Sequence, residues 1–138
     1  MYKRQVVQRS TSQYNFREII GQIKSSSLPR KITEDVIGVM ELVGRSEALV
    51  HGKTLDELHL HEMGQQDAIA DIVGAVVAFH DLGLTNSKVI CLPISVGGGF
   101  VNTAHGKLPV PAPATLEILN NSKPVSYTHL TLPTTPYV

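Results

Sequence analysis

The first third of the chain has apolar residues at the spacing of amphipathic helices. In the segment NFREIIGQI they recur at i, i+3, i+4 and i+7, which places them on one helical face. These positions are Phe16, Ile19, Ile20 and Ile23. Asn15, with Glu18 three residues later, predicts that this helix begins with a reciprocal capping box.

A second helix is predicted after a break at 25–29, because Pro29 suits a first helical turn. It should run to about Leu49 and end near Gly52. Its apolar face consists of Ile32, Val36, Val39, Met40 and Val43. The two helices together predict a helical hairpin. A short helical turn should follow, because Thr54 and Glu57 form another capping-box pair.

The segment QQDAIADIVGAVVAFHDLG predicts a third helix. It is apolar on nearly all sides from Ala68 to Leu82, so we expect it to be central and buried. Gly74 and the alanines around it would let a neighbouring element approach closely. Gly83 is expected to end the helix.

The segment SKVICLPISV, at 87–96, predicts a strand covered on both faces, because both of its alternating sets of positions are apolar. Gly97, Gly98 and Gly99 follow it. The prolines at 109, 111 and 113 favour an extended entry into a last helix at 114–119. Helices combined with a covered strand indicate an α/β (or α+β) class, and we expect the domain to be incomplete.

The length and net charge of the chain exclude some classes of protein. The 138 residues suffice for one domain, and the formal net charge of zero gives no electrostatic basis for binding nucleic acid or a membrane surface. The most apolar stretch, 72–79, is too short to span a bilayer. The single cysteine, Cys91, cannot build a disulfide framework and fits a reducing compartment, so we expect a cytoplasmic location.

Both ends differ in character from the rest of the chain. MYKRQ at 1–5 and SYTHLTLPTTPYV at 126–138 resemble translated adapter sequence. The second is also rich in Thr and Pro and has no helical or strand period. We expect both ends to be non-native and the native part to span 6–125.

Candidate metal ligands cluster in LHLHEMGQQDAIAD, at 58–71. In an extended segment, His59 and His61 would point to one side, with Glu62 opposite. Two imidazoles at that spacing can share a borderline metal such as nickel or zinc. The alternative is a partly exposed turn with two ordinary histidines.

Two carboxylates extend this cluster. Asp67 and Asp71 are four residues apart, so they share a face near the start of the predicted buried helix. Asp67 has an alternative role as a helix N-cap. Asp71 lies one turn deeper, where a buried carboxylate needs a cation, a histidine or several donors. A histidine–carboxylate pair would also orient an imidazole for metal binding.

The segment GGGFVNTAHGKLPVPAPAT is a candidate phosphate site. A glycine-rich turn exposes backbone N–H groups and a helix start follows, and both favour an anion. His105, before Gly106, could bind phosphate, act in acid–base catalysis or bind metal, and Lys107 would add charge. The alternative is a glycine-rich connection with a surface histidine. We interpret His51 and His80 as structural.

Together these segments resemble the LarC family, the nickel-insertion proteins for the nickel-pincer cofactor of lactate racemase. LHLHEMGQQDAIADIVGA is similar to the family's first motif, V-H-F-H-E-V-G-A-x-D-S-I-x-D-I-V-G. LPISVGGGFVNTAHGKLPVPAPAT is similar to its second, P-L-x-x-G-x-G-x-V-x-x-x-H-G-x-x-P-V-P-A-P-A-T. The resemblance covers about 16–125, and Gln66 and Ala68 depart from the usual pattern. Matching positions are His59, His61, Glu62, Asp67 and Asp71, then Gly97, Gly99, His105, Gly106, Pro109, Pro111 and Pro113.

The resemblance implies a nickel chelatase, a cyclometallase of the lyase class. It would insert nickel into a pyridinium bisthiocarboxylate mononucleotide, forming carbon–nickel and sulfur–nickel bonds with consumption of CTP. On this hypothesis nickel is held by His59, His61, Glu62, Asp67 and Asp71. The substrate phosphate is held by Gly97, Gly98, Gly99, His105 and Gly106. His105 and Asp71 would act in catalysis, and lactate racemase apoprotein would be a downstream partner.

Some features of the family are not found in this sequence. They are an Asp- and Gly-rich opening segment, a histidine-rich stretch, and the carboxy-terminal domain associated with CTP and a divalent metal. We therefore expect a central part of a longer protein that is inactive alone; homo-oligomerisation is compatible with the sequence. Two alternatives stay open: a non-catalytic nickel-binding or storage module, and a metal-free phosphate- or nucleotide-binding enzyme in which His105 does acid–base work.

Overall fold

The computed structural model describes residues 14–58, 60, 66–90, 93–103 and 106–122. They fall into two units, one up to Lys88 and one from Val89 onward. The ends predicted to be non-native, 1–5 and 126–138, lie outside the described residues.

The first unit begins with the predicted helical hairpin. α1 (Phe16–Lys24) starts with its capping box: the backbone N–H of Glu18 donates to the Asn15 side chain at 2.8 Å, and the backbone N–H of Asn15 donates to the Glu18 carboxylate at 3.0 Å. α2 (Arg30–His51) ends at Gly52, whose φ of 60° lies in the left-handed region that favours glycine. Both predicted helices are present, and the capped start of α1 and the end of α2 at Gly52 are confirmed.

The core of this unit lies between α1, α2 and the segment after α2. Its buried apolar side chains are Phe16, Ile19, Ile23, Val36, Met40, Ala48, Leu58 and Leu60. Gly44 allows the close approach of α1, because a Cβ at this position would lie 2.7 Å from Cε2 of Phe16. The predicted helical turn is a 3₁₀ helix, Leu55–Glu57, and Arg17 Nε of α1 donates to Asp56 Oδ1 at 2.6 Å.

α3 (Gln66–Asp81) packs on this core through one face. The side chains that pack against it, Ile69, Ile72, Val73 and Val76, are only partly buried, and none of the helix's residues is buried. The predicted helix and its end at Gly83, with φ of 68°, are confirmed. The prediction that this helix is central and buried was wrong. Within the described part of the chain, α2 covers one side of it and the other sides meet solvent.

The second unit contains a β-hairpin followed by a helix. β1 (Phe100–Thr103) and β2 (Gly106–Pro109) pair antiparallel, with Phe100 opposite Pro109 and Thr103 opposite Gly106. α4 (Pro113–Ser122) follows, with Pro113 in its first turn as predicted.

The strand predicted at 87–96 was wrong. Of the described residues in that range, 87–90 and 93–96, only Ile94 makes an isolated bridge. Ile90 is 75% exposed, so no neighbour covers it as the prediction required. The α/β class itself is confirmed: the described part of the chain holds four α-helices and a two-stranded antiparallel sheet. None of its helices combines the length and hydropathy that a bilayer span requires.

Candidate functional site

The structure describes only part of the predicted sites. His59, His61, Glu62 and His105 lie outside the described residues. Asp67 and Asp71 belong to α3 in the first unit, whereas Gly97, Gly98, Gly99 and Gly106 belong to the second unit. The nickel site and the phosphate site therefore stay predictions.

The two aspartates of the first motif are surface residues of α3. Asp67 lies inside the first turn and not at the N-cap, and its Oδ1 accepts a hydrogen bond from the N–H of Ala68 at 2.9 Å. Asp71 lies one turn later and is exposed. The expectation that Asp71 is buried was wrong, because the helix face that carries it is open in this structure. Because water hydrates an exposed carboxylate, Asp71 does not require an internal cation or a cluster of hydrogen-bond donors.

Asp67 and Asp71 can act together as metal ligands. Residues four apart on a helix are neighbours on its surface, so their carboxylates reach the same side. Among the described residues, the ion pairs all involve other carboxylates. Neither Asp67 nor Asp71 is in an ion pair with another described residue. Within the same residues, no three His, Cys, Asp or Glu side chains converge as a metal site.

Asp71 also lines an open groove between α2 and α3, which we call the α2–α3 groove. It has a volume of about 810 Å³. Its apolar lining residues are Val39, Leu42, Ile72, Ala75, Val76 and Phe79. Its ionisable lining residues are Glu34, Asp35, Asp71 and His80. The sequence did not predict this groove, because its two walls come from two different helices, and the pattern along each helix does not show how they pack.

Two of the residues that line the groove join its helices through a direct contact. His80 Nε2 of α3 lies 2.6 Å from Asp35 Oδ2 of α2, and the His80 side chain is 14% exposed. The structural interpretation of His80 therefore agrees with its contacts. Its partner Asp35 was not identifiable from the sequence, because a contact across 45 positions leaves no local pattern.

In the second unit, the glycine-rich turn folds back toward the start of α4. Gly97 and Gly99 have φ values of 73° and 90°, conformations that side chains rarely adopt. The N–H of Val110 donates to the Gly99 carbonyl at 3.0 Å. A Cβ added to Gly97 would lie 3.2 Å from Cγ1 of Val110. The turn thus lies beside the segment that enters α4, as a shared phosphate site would require.

The β-hairpin of this unit carries a positive charge. Lys107 Nζ lies 4.7 Å from the centre of the Phe100 ring, at cation–π distance. Gly106 has φ of 90°, and Thr103 Oγ1 donates to its carbonyl at 3.2 Å. The hydrogen bond joins Thr103 to Gly106, the described residues that precede and follow Ala104 and His105 in the sequence.

Comparisons with known proteins decide the family. The family model described as "Nickel insertion protein" matches residues 2–136. The chain belongs to the nickel insertion protein family. The resemblance inferred from the two motifs is thereby confirmed.

Individual members of the nickel insertion protein family are also similar. A protein of Methanococcoides burtonii, whose name assigns nickel insertion provisionally, is 48% identical over 108 residues, which is 78% of this chain and 27% of the relative. A protein of Desulfitobacterium hafniense, named pyridinium-3,5-bisthiocarboxylic acid mononucleotide nickel insertion protein, is 49% identical over 105 residues, 76% of this chain and 25% of the relative. The chain thus spans about a quarter of the length of these relatives. No solved structure matches it.

Proposed function

We propose that this chain forms part of an enzyme that inserts nickel into pyridinium-3,5-bisthiocarboxylic acid mononucleotide. The observation that carries this proposal is the family match over residues 2–136, together with the name of the Desulfitobacterium hafniense relative. The enzyme would be a nickel chelatase, a cyclometallase of the lyase class. The use of CTP with a divalent metal would belong to regions outside these 138 residues, so the chain alone would not complete the reaction.

Nickel is a substrate of this reaction, and the first motif would bind it. His59, His61 and Glu62 would supply ligands together with Asp67 and Asp71. Imidazole and carboxylate are donor groups that suit nickel. The exposure of both aspartates, their position on one helix face and their freedom from ion pairs support this assignment.

The second motif would bind the substrate phosphate. The turn at Gly97, Gly98 and Gly99 lies beside the entry to α4, and both a glycine-rich turn and a helix start offer backbone N–H groups to an anion. Gly106 would contribute its N–H group and Lys107 its charge. His105 would contact the phosphate or transfer a proton.

Forming a carbon–nickel bond from a ring C–H requires a base. The C–H bond breaks as the carbon–nickel bond forms, nickel keeps its divalent state, and the proton passes to the base. We assign this role to Asp71 or His105, because a carboxylate and an imidazole can both accept a proton near neutral pH. The finished cofactor would then pass to lactate racemase apoprotein.

A nickel titration of the full chain tests the metal site. Competition with a chromophoric chelator would report affinity for the wild type, for the His59→Ala/His61→Ala double variant and for Asp71→Asn. We expect about one equivalent of nickel, with affinity at least tenfold weaker in the double variant. His51→Ala is the matched control, because it removes an imidazole that lies 3.5 Å from Glu47 in α2, outside the motif. Unchanged affinity in the double variant, or no nickel binding by the folded chain, would refute the assignment.

Two other functions predict different results. A nickel storage module would bind nickel through His59 and His61 but would not bind the pyridinium mononucleotide. A metal-free phosphate or nucleotide enzyme would bind a mononucleotide without nickel, and His105→Ala would weaken that binding while His59→Ala would not. Measuring mononucleotide binding with and without nickel therefore separates the three functions.

A further inference from the structure

The α2–α3 groove leaves large apolar side chains in water. Val39, Leu42 and Phe79 are 38%, 43% and 40% exposed along its length. Removing such side chains from water stabilises a protein by about 25 cal/mol for each Å² buried. Apolar side chains gathered in one groove are a common feature of surfaces that contact another element.

The apolar composition of α3 suits a helix with more neighbours than α3 has among the described residues. The helix is apolar on nearly all sides, which is typical of a helix buried by several neighbours. None of its residues is buried, and among the described residues nothing comes within 4 Å of a Cβ built on Gly74. The sequence of α3 therefore suits a more enclosed position than the one it occupies here.

We propose that the α2–α3 groove is a docking surface for an apolar segment flanked by basic residues, carried by the part of the nickel insertion polypeptide that lies outside the matched region. The relatives have about three quarters of their length outside the segment that this chain matches, and the docking segment would belong to that part. The proposal rests on the exposed surface and on family membership, and it does not depend on nickel binding.

The charges of the groove favour this occupant over a second copy of the chain. Three carboxylates, Glu34, Asp35 and Asp71, line the groove, and no lysine or arginine is among its described lining residues, which makes its rim acidic. Two of the three already have a partner, because Glu34 pairs with an arginine of α2 and Asp35 contacts His80. A two-fold dimer through the groove would bring the two acidic rims face to face, which is unfavourable. Basic residues flanking an apolar segment would complement the rim. The groove follows α2 from Glu34 to Leu42, a rise of about 12 Å, which accommodates about two turns of helix.

Cysteine labelling tests the proposal. Ala75→Cys would place a thiol in the groove, and Val50→Cys would place one on α2 outside it, where Val50 is 44% exposed. Each would be made with every other cysteine replaced by serine, in the 138-residue chain and in the Methanococcoides burtonii relative with its matched segment replaced by that of this chain. We expect the Ala75→Cys thiol to react at least tenfold more slowly in the chimera, while the Val50→Cys thiol reacts at similar rates in both proteins.

Equal rates for Ala75→Cys in both folded proteins would overturn the proposal, as would equal slowing at both positions. Protection in the 138-residue chain that rises with its concentration would indicate a second copy, and would also overturn it. If the chimera does not fold, the same cysteines at the aligned positions of the unaltered Methanococcoides burtonii relative give the same test.

A charge reversal tests the chemistry of the occupant. Glu34 and Glu41 are matched residues, because each lies on α2 and pairs with an arginine four residues away. Only Glu34 lines the groove. We expect Glu34→Lys to raise the labelling rate of Ala75→Cys in the chimera at least threefold and Glu41→Lys to leave it unchanged. Equal effects of the two reversals would overturn the assignment of basic flanking residues.

Discussion

Of the two glycines inside α2, Gly44 should tolerate an added methyl group less well than Gly38. A Cβ at Gly44 would lie 2.7 Å from Cε2 of Phe16 and 3.0 Å from Cδ2 of Leu55. Both atoms belong to side chains packed at the core, and Phe16 is 6% exposed, so its ring has little room to move. Gly44→Ala therefore tests whether α1 packs on α2 as closely as the structure has it.

Two opposing contributions determine how much Gly44→Ala changes the free energy of unfolding. Overpacking a core typically costs about 1–3 kcal/mol. Replacing glycine by alanine inside a helix contributes about 1 kcal/mol of stability. We expect Gly44→Ala to lower the free energy of unfolding by about 1 kcal/mol. Gly38→Ala, on the same helix with nothing within 4 Å of the added Cβ, should raise it by about 0.5–1 kcal/mol.

Urea and thermal unfolding of the 138-residue chain would measure the difference between these variants. A gap of about 2 kcal/mol corresponds to a difference in melting temperature of about 8 °C for a chain of this size. Phe16→Leu should recover part of the loss in the Gly44→Ala background, because it removes the ring edge. If Gly44→Ala proved as stable as Gly38→Ala, the close packing of α1 on α2 would be refuted.

Two further predictions concern ion pairs that join elements of the first unit. The His80–Asp35 contact should give a coupling energy of about 1 kcal/mol in a double-mutant cycle with His80→Ala and Asp35→Ala, and a value near zero would contradict it. The hydrogen bond and charge of Arg17 lower the pKa of Asp56 from its usual range. This pair therefore stabilises the fold at pH values above those at which an unpaired aspartate titrates, and its contribution is lost as the pH falls through the lowered pKa. Acid unfolding followed by circular dichroism should thus depend less on pH in Arg17→Gln, and unchanged curves would show that the pair contributes nothing.

The sequence predicted the features that depend on neighbouring residues. Asn15 and Glu18 form their capping box because both partners lie within one turn. Gly52 and Gly83 end their helices because a left-handed residue favours glycine wherever the helix lies. The family was recognisable for a similar reason, since its two motifs are continuous stretches of chain.

The sequence did not predict features that depend on distant partners. An apolar run such as 87–96 becomes a strand only if another strand accepts its hydrogen bonds, and the pattern does not show whether one is present. The hairpin at β1 and β2 was missed because the two residues that connect its strands, Ala and His, lack the Asn-Gly or Asp-Gly pattern of a tight turn. The exposure of Asp71 was missed because burial depends on what covers a helix, not on the helix alone.

Asp71 belongs to both proposed surfaces of α3, and this predicts that docking and nickel binding are coupled. A segment docked in the groove would bring its basic residues close to the rim that contains Asp71, and their positive charge would oppose a bound cation. Docking would therefore weaken the attraction of nickel to this carboxylate. Coupling of this kind is reciprocal, and bound nickel would equally disfavour docking.

Through this coupling, docking should weaken nickel binding by the chimera relative to the 138-residue chain by about fivefold, at a coupling free energy of about 1 kcal/mol. The chelator competition would measure both affinities. Asp71→Asn provides the control, because ligands contributed by the rest of the relative would tighten binding with or without this carboxylate. The nickel affinity of the chimera relative to that of the 138-residue chain should therefore be higher in Asp71→Asn than in the unsubstituted proteins. An equal ratio of the two affinities with and without Asp71→Asn would show that Asp71 does not connect the two surfaces.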